Sequence, residues 1–345
     1  MDTMKAVAAM GDGSVRVVDV ERTRIIDPYQ CLVRITACGL CSSTDMKIIG
    51  NGSVGQMPIQ YPTLIGHEAV GVIEEVGEKV RYWKKGDRLV SPDGVPVPGY
   101  FSNWGAMNGY GVTTDLRAEI EDGAAPDTPD ALLDFPGKPI PEGMSDVDAV
   151  MLLTLKENYS ALLNFGVGEG TSLLIYGDGA VALGLAMLAR HIGAANVACI
   201  GHHDDRLERI RTLAGVDKVV NSHAQDPEQC LEMGAFDVVI DAAGSIEVVL
   251  KGARFLRPGG LVGCYGVLKQ GHSTIDLLDL PNNVRLQTLN WPYHEHRAHD
   301  AVVRLVQEGK IDLRQFYSHV LPVTEAPRGV EMIRSREAFK VIFTM

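Results

Sequence analysis

Apolar residues recur with a period of two over the opening stretch MDTMKAVAAMGDGSVRVVDV, which reads as a strand entering a hairpin. The same short alternation returns at 31–37 and 69–76, with glycine and proline between the runs, so residues 1–150 are expected to form a mainly β domain. From Ser91 to Pro141 few apolar positions are periodic and Gly, Pro and Asp are frequent. That stretch reads as loops over the domain surface or around the mouth of a site.

From Met151 the rhythm changes. Apolar strands at 172–176, 196–200, 218–221, 236–241 and 260–265 alternate with helical patterns, the signature of a parallel, doubly wound sheet. The run from Thr171 to Ala189 is interrupted by Asp178 and by glycines at loop spacing, so it predicts a strand followed by a helix, not a membrane span. After Trp291 a helix at 298–308 and strands at 319–322 and 340–343 close the chain, and no internal repeat is present.

The strand SLLIY runs into Gly177, Gly179 and Ala182, a GxGxxA sequence, and the helix behind it opens at Ala180 and Val181. Strand, glycine turn and helix in this order form the context of a dinucleotide-binding fingerprint: the glycines allow a pyrophosphate to approach the backbone, and the helix N-terminus supplies free N–H groups and positive dipole. Asp178, between the glycines, is unhelpful to a pyrophosphate unless it points away. About 20 residues on, an acid would bind the adenosine ribose. Gly201 stands there instead, followed by His202 and Arg206, which suits a 2′-phosphate better than a hydroxyl pair, so NADP is expected over NAD. Asp204 and Asp205 keep NAD open.

In the first half, Gly66, His67, Glu68, Gly71, Gly77 and Val80 form GHExxGxxxxxGxxV, and Cys38-Gly39-Leu40-Cys41 stands upstream, followed by Ser42, Ser43, Thr44 and Asp45. With the GDRL segment at 86–89, the fingerprint and the ending KVIFTM, these motifs resemble the zinc-type alcohol and polyol dehydrogenases of the medium-chain dehydrogenase/reductase family, over the whole chain. The resemblance implies a GroES-like catalytic domain at 1–150, to which 291–345 return, and a Rossmann cofactor domain at 151–290. It also implies a catalytic zinc on Cys41 and His67, with Glu68 as neighbour or alternate ligand and Ser43 or Thr44 relaying the proton.

A protein zinc site normally supplies three ligands and keeps one position open. In relatives the third stands about 24 or 25 residues before the first fingerprint glycine, where this chain has Leu152 and Leu153. Three readings stay open: zinc on Cys41, His67 and Glu68; zinc with Glu157 or Asp45 recruited; or no metal, with Lys156 or a hydroxyl as electrophile. The four-cysteine structural zinc of many relatives is not expected, because no cysteine lies between Cys41 and Cys199.

Composition narrows the function classes. A 345-residue chain that is 46% hydrophobic has enough material for two cores, and a net charge of −12 without a basic stripe argues against nucleic acid as a partner. Six scattered cysteines and an amino terminus without an apolar signal region fit a reducing compartment, the cytoplasm. The expected partners are a small alcohol or carbonyl substrate and further copies of the chain, as homodimer or homotetramer, paired through the strand at 260–265. Residues 100–110, with Asn103 and Trp104, and 291–296 are candidates to line the substrate cleft, where aromatic rings suit a polyol or cyclic polyhydroxy compound. The histidines at 294, 296 and 299 serve there or lie in solvent. The alternatives are a zinc-free NADPH-dependent quinone or enone reductase and a non-catalytic NADP-binding protein.

Overall fold

A computed structural model describes all residues except 1, 51, 53, 55–57, 103, 129, 269, 270, 272, 291 and 292. The chain divides into two compact units, 1–154 with 299–345, and 155–298.

The first unit is mainly β. Strands β1 (Thr3–Ala9), β2 (Val15–Glu21), β4 (Thr63–Leu64) and β7 (Phe101–Ser102) form a four-stranded sheet in the order β2-β1-β4-β7. A second sheet runs β16 (His319–Pro322), β17 (Val341–Thr344), β3 (Gln30–Gly39), β5 (Glu68–Val76), β6 (Arg88–Val90), β9 (Lys138–Pro139), and β8 (Tyr110–Thr114) also pairs with β3. Strand β3, QCLVRITACG, is buried along nearly its whole length and is paired on both edges, by β5 on one and by β8 and β17 in succession on the other. The core gathers side chains from both ends of the chain, among them Val33, Ile35, Ile73, Leu89, Val341 and Phe343.

Residues 91–141 are largely irregular, as the loop reading expects, but besides the short strands β7, β8 and β9 they contain α2 (Leu116–Glu121), capped by Asp115, whose side chain accepts from the Ala118 N–H. Strand β8 is short and its sequence YGVTT has a single large aliphatic residue, so alternation was too weak to reveal it; the long partner β3 supplies what propensity does not. Hydrogen bonds tie this segment down: Asp115 Oδ2 accepts from the Arg81 and Tyr82 N–H groups at 2.7 Å each, and the Tyr29 hydroxyl donates to Asp122 at 2.8 Å. Helix α1 (Thr44–Ile49) follows β3, and α3 (Asp146–Ala149) precedes α4 (Met151–Asn164), which begins in the first unit and continues into the second.

The second unit is a parallel sheet in the order β12 (Lys218–Asn221), β11 (Asn196–Gly201), β10 (Ser172–Tyr176), β13 (Phe236–Asp241), β14 (Leu256–Cys264), β15 (Arg285–Thr288). Helices α5 (Ala180–Ile192), α6 (Asp204–Ala214), α7 (Pro227–Cys230) and α8 (Ile246–Ala253) connect the strands, so this is the doubly wound Rossmann arrangement. The strand expected at 260–265, near the sheet edge, is part of β14 and lies next to that edge, which β15 itself forms. Its RLQT sequence lacks the apolar run by which the interior strands announce themselves. The chain ends with α9 (His299–Gln307) and α10 (Ala326–Arg334) in the first unit. None of the helices among the described residues is long and apolar enough to cross a membrane.

Helix α4 packs on α5 at Gly184, where an added Cβ would meet Asn158 Nδ2 at 2.2 Å. Asn158 in turn donates to the Val181 carbonyl at 3.2 Å and accepts from the Tyr265 hydroxyl at 3.2 Å. A methyl group at Gly184 therefore has to displace a buried, hydrogen-bonded amide. Gly184→Ala is expected to destabilise the second unit by about 1–3 kcal/mol, seen as a lower melting temperature by calorimetry.

Candidate active site

In the first unit the site forms where β3 turns into α1 and where β5 begins. Cys41 stands in that turn, Ser43 holds the N-cap position of α1 without a side-chain cap hydrogen bond, Thr44 opens the helix, and His67 immediately precedes Glu68, the first residue of β5. Gly66 has φ +95°, and a Cβ there would lie 2.6 Å from Met107 Cβ, so the histidine can be brought this close to the turn only from a glycine. One sulfur, one imidazole nitrogen and one carboxylate oxygen of Cys41, His67 and Glu68 lie within 4.8 Å of one another. Among the described residues no other group of three such ligating side chains is found.

Asp45 is fully buried beside them. Its Oδ2 accepts from the Cys41 N–H at 2.9 Å; its Oδ1 accepts from the Gly66 N–H at 3.3 Å and stands 3.5 Å from His67 Nδ1. The carboxylate thus braces the backbone under both other residues, which sets it apart from a recruited ligand. The Thr44 N–H points at Cys41 Sγ at 3.3 Å, a donor suited to a thiolate. Burial works against a charged His67, but Asp45 and Cys41 outweigh it and hold its pKa well above the ordinary histidine value. The ring lies 5.5 Å from that of Trp104.

Glu68 has a partner that sequence reasoning missed. Lys340, just before β17, makes a buried ion pair with Glu68 Oε2, while the Thr154 hydroxyl reaches Oε1 at 3.5 Å. The Lys340 ammonium is opposed by burial, yet Glu68, Cys41 and Asp45 keep its pKa above the usual lysine value. A Cβ on Gly39 would stand 2.3 Å from Glu68 Oε2, so this glycine makes room for the carboxylate. The one signal in the sequence was a lysine opening the apolar ending KVIFTM.

In the second unit, Gly177 (φ +143°) turns the chain out of β10 and Gly179 is the N-cap of α5 without a side-chain cap. A Cβ on Gly179 would meet nothing within 4 Å, so open space lies over the free N–H groups of Ala180 and Val181. That cradle fits a pyrophosphate. Asp178 does point away from it: Oδ2 accepts from the His202 and His203 N–H groups at 2.8 and 3.0 Å and pairs with His203 Nδ1 at 2.8 Å. Gly201 ends β11, His202 stacks on His223 with centroids 4.1 Å apart, and Arg206 Nη1 lies 4.0 Å from Asp178 Oδ1. Lys156 is wholly buried in α4, and Glu157 beside it is not part of the Cys41 cluster.

Of the expected substrate-lining residues, Trp104 adjoins His67, whereas Tyr100 packs on the small core around Leu64 and Val97, and Tyr110 carries the Arg22 guanidinium 4.1 Å above its ring. Asn103 and Trp291 lie outside the described residues. Only His294 of the histidine run is exposed; His299 is buried, its Nε2 3.0 Å from the Pro139 carbonyl, and His296 sits 3.3 Å from Glu295.

Comparison with known proteins bears on the family and the fold. Residues 27–113 match the alcohol dehydrogenase GroES-like domain and residues 180–308 the zinc-binding dehydrogenase family. A probable zinc-binding alcohol dehydrogenase of Mycobacterium tuberculosis is 30% identical, over 99% of this chain and 88% of its own. A putative D-xylulose reductase of Rhizobium meliloti is 25% identical over 93% of each. The solved structure of a putative zinc-binding dehydrogenase from Sinorhizobium meliloti bound to NADP superposes with a TM-score of 0.78 at 24% identity, covering both chains fully. With the cysteine-histidine-glutamate cluster in a GroES-like unit and the glycine turn in a Rossmann unit, the chain belongs to the zinc-type alcohol dehydrogenases of the medium-chain dehydrogenase/reductase family, and it is an oxidoreductase of that kind.

Proposed function

We propose that the protein interconverts a polyol or related alcohol and its ketone or aldehyde, with NADP(H) as hydride carrier and zinc held by Cys41, His67 and Glu68. The Cys41, His67 and Glu68 cluster braced by Asp45 carries this reading: thiolate, imidazole and carboxylate are a donor set suited to zinc. When bound there, zinc would polarise the substrate oxygen as a Lewis acid.

The chain's own residues would do the rest. Asp45 faces His67 Nδ1, which orients the ring and leaves Nε2 for the metal. Ser43 and Thr44, the hydroxyl residues at the start of α1, relay the proton to solvent. In the second unit Gly177, Gly179, Ala180 and Val181 hold the pyrophosphate, and Gly201, His202 and Arg206 receive the adenosine end, with Arg206 supplying the charge for a 2′-phosphate. The NADP bound to the Sinorhizobium protein and the name of the Rhizobium relative support cofactor and polyol substrate. Six free cysteines, four of them buried, support a reducing compartment, the cytoplasm. We place a homodimer or homotetramer contact at the edge strand β15.

One observation favours a second reading, a zinc-free quinone or enone reductase: Glu68 already carries a cation, Lys340. The test is the zinc content of protein purified without chelators, together with NADPH-linked turnover of polyols, simple alcohols, enones and quinones. About one zinc per chain and polyol or alcohol turnover is expected. Active protein without zinc that reduces only enones or quinones overturns the zinc reading.

A further inference from the structure

We propose that Asp178, inside the glycine turn, is the residue that sets the choice between NAD and NADP, standing in for the acid missing at the end of β11. The inference rests on the reading of the second unit as a nicotinamide dinucleotide site with Arg206 at its 2′-phosphate end.

Three observations converge on this residue. First, Gly201 occupies the strand-end position where an acid would reach the ribose, and the Asp178 side chain lies directly over it: a Cβ on Gly201 would stand 2.7 Å from Asp178 Cβ and 2.8 Å from its Oδ2. The carboxylate thus fills, from the neighbouring loop, the space that a strand-end side chain would need.

Second, the two carboxylate oxygens are used unequally. Oδ2 is saturated by the His202 N–H, the His203 N–H and His203 Nδ1, which fixes the side chain across the entry to α6. Oδ1 stands 4.0 Å from the Arg206 guanidinium, beyond hydrogen-bond reach, and keeps acceptor capacity that a ribose hydroxyl can use and a phosphate cannot. Burial disfavours the charge, but the His202 and His203 contacts prevail and hold the Asp178 pKa below the ordinary carboxylate value, so the group faces the adenosine end as an anion.

Third, the carboxylate already occupies the two backbone N–H groups at the entry to α6, an anion-binding feature that a 2′-phosphate would otherwise take. A phosphate brought against Arg206 must therefore compete with Asp178 for the same guanidinium and lie beside a like charge. Asp178 favours the free hydroxyl, Arg206 favours the phosphate, and the balance between them makes the site tolerant of both cofactors rather than exclusive for NADP.

The test is titration of the purified protein with NADPH and with NADH, followed by nucleotide fluorescence, for the parent, Asp178→Asn and Arg206→Ala. Asp178→Asn keeps an oxygen to accept the two N–H groups while removing the charge. It is expected to tighten NADPH by about tenfold and to leave NADH the same or weaker by about threefold. Arg206→Ala is expected to weaken NADPH about tenfold and NADH little. Equal effects of Asp178→Asn on both nucleotides, or none, overturn the role of Asp178. If instead Arg206→Ala weakens both alike, the 2′-phosphate reading of Arg206 fails, whatever Asp178 does. Should Asp178→Asn lower the melting temperature sharply, Asp178→Ser repeats the comparison, and the ratio of the two dissociation constants remains the deciding quantity.

Discussion

Cys41→Ala is expected to strip the protein of zinc and to lower kcat/KM for its alcohol substrate by about 10³-fold or more, the equivalent of roughly 4 kcal/mol of transition-state stabilisation. In the proposed site the Cys41 thiolate is the soft ligand, and among the described residues no further ligating side chain joins the cluster; Asp45 spends its oxygens on the Cys41 and Gly66 N–H groups. His67 and Glu68 alone make too few ligands for a protein zinc site. Cys41 is only half-buried and lies in a turn, so the fold should tolerate alanine and the melting temperature of the metal-free protein should change little. Metal analysis by mass spectrometry, steady-state kinetics and calorimetry on the same preparation separate the two causes of lost activity. A variant that keeps most of its activity without metal would assign the electrophile elsewhere, to Lys156 or a hydroxyl, and favour the reductase reading.

How much of this was legible in the sequence follows from how local each feature is. The cofactor turn was readable because its strand, glycines and helix are contiguous, from Ser172 to Ile192. The GHE box and Cys41 were readable because each motif is short, although their convergence depends on β3 and β5 pairing as antiparallel neighbours. The sequence offers Asp45 as a recruited ligand; its role as brace follows from its burial beneath the turn, which spacing does not encode. For the same reason Asp178 could be flagged as misplaced but not assigned, since only the packed loop shows that it covers Gly201. Strand β8 and helix α2 were hidden by weak alternation and short length, and β15 by an RLQT sequence that reads as polar.

The Glu68 and Lys340 pair is the extreme case, because its members are 272 residues apart and meet only when the last strand joins β3 beside β5. Both side chains are almost completely buried, so each charge depends on the other. Lys340→Met keeps the apolar stem and removes the ammonium, leaving the Glu68 carboxylate buried with the weak Thr154 contact. In metal-free protein this is expected to destabilise the first unit by about 3–5 kcal/mol, seen as an earlier urea transition in tryptophan fluorescence, to which Trp83 and Trp104 of that unit contribute. Adding Glu68→Gln should recover much of the loss, since the uncompensated charge is then gone, and the pair of single variants with the double forms a cycle that measures the coupling. Zinc-loaded protein should lose less than metal-free protein, because a cation on the cluster supplies part of the positive charge that Lys340 provided. Equal loss with and without zinc would mean that Glu68 serves only the fold and stands outside the metal site, and the third ligand would then have to be sought among other residues.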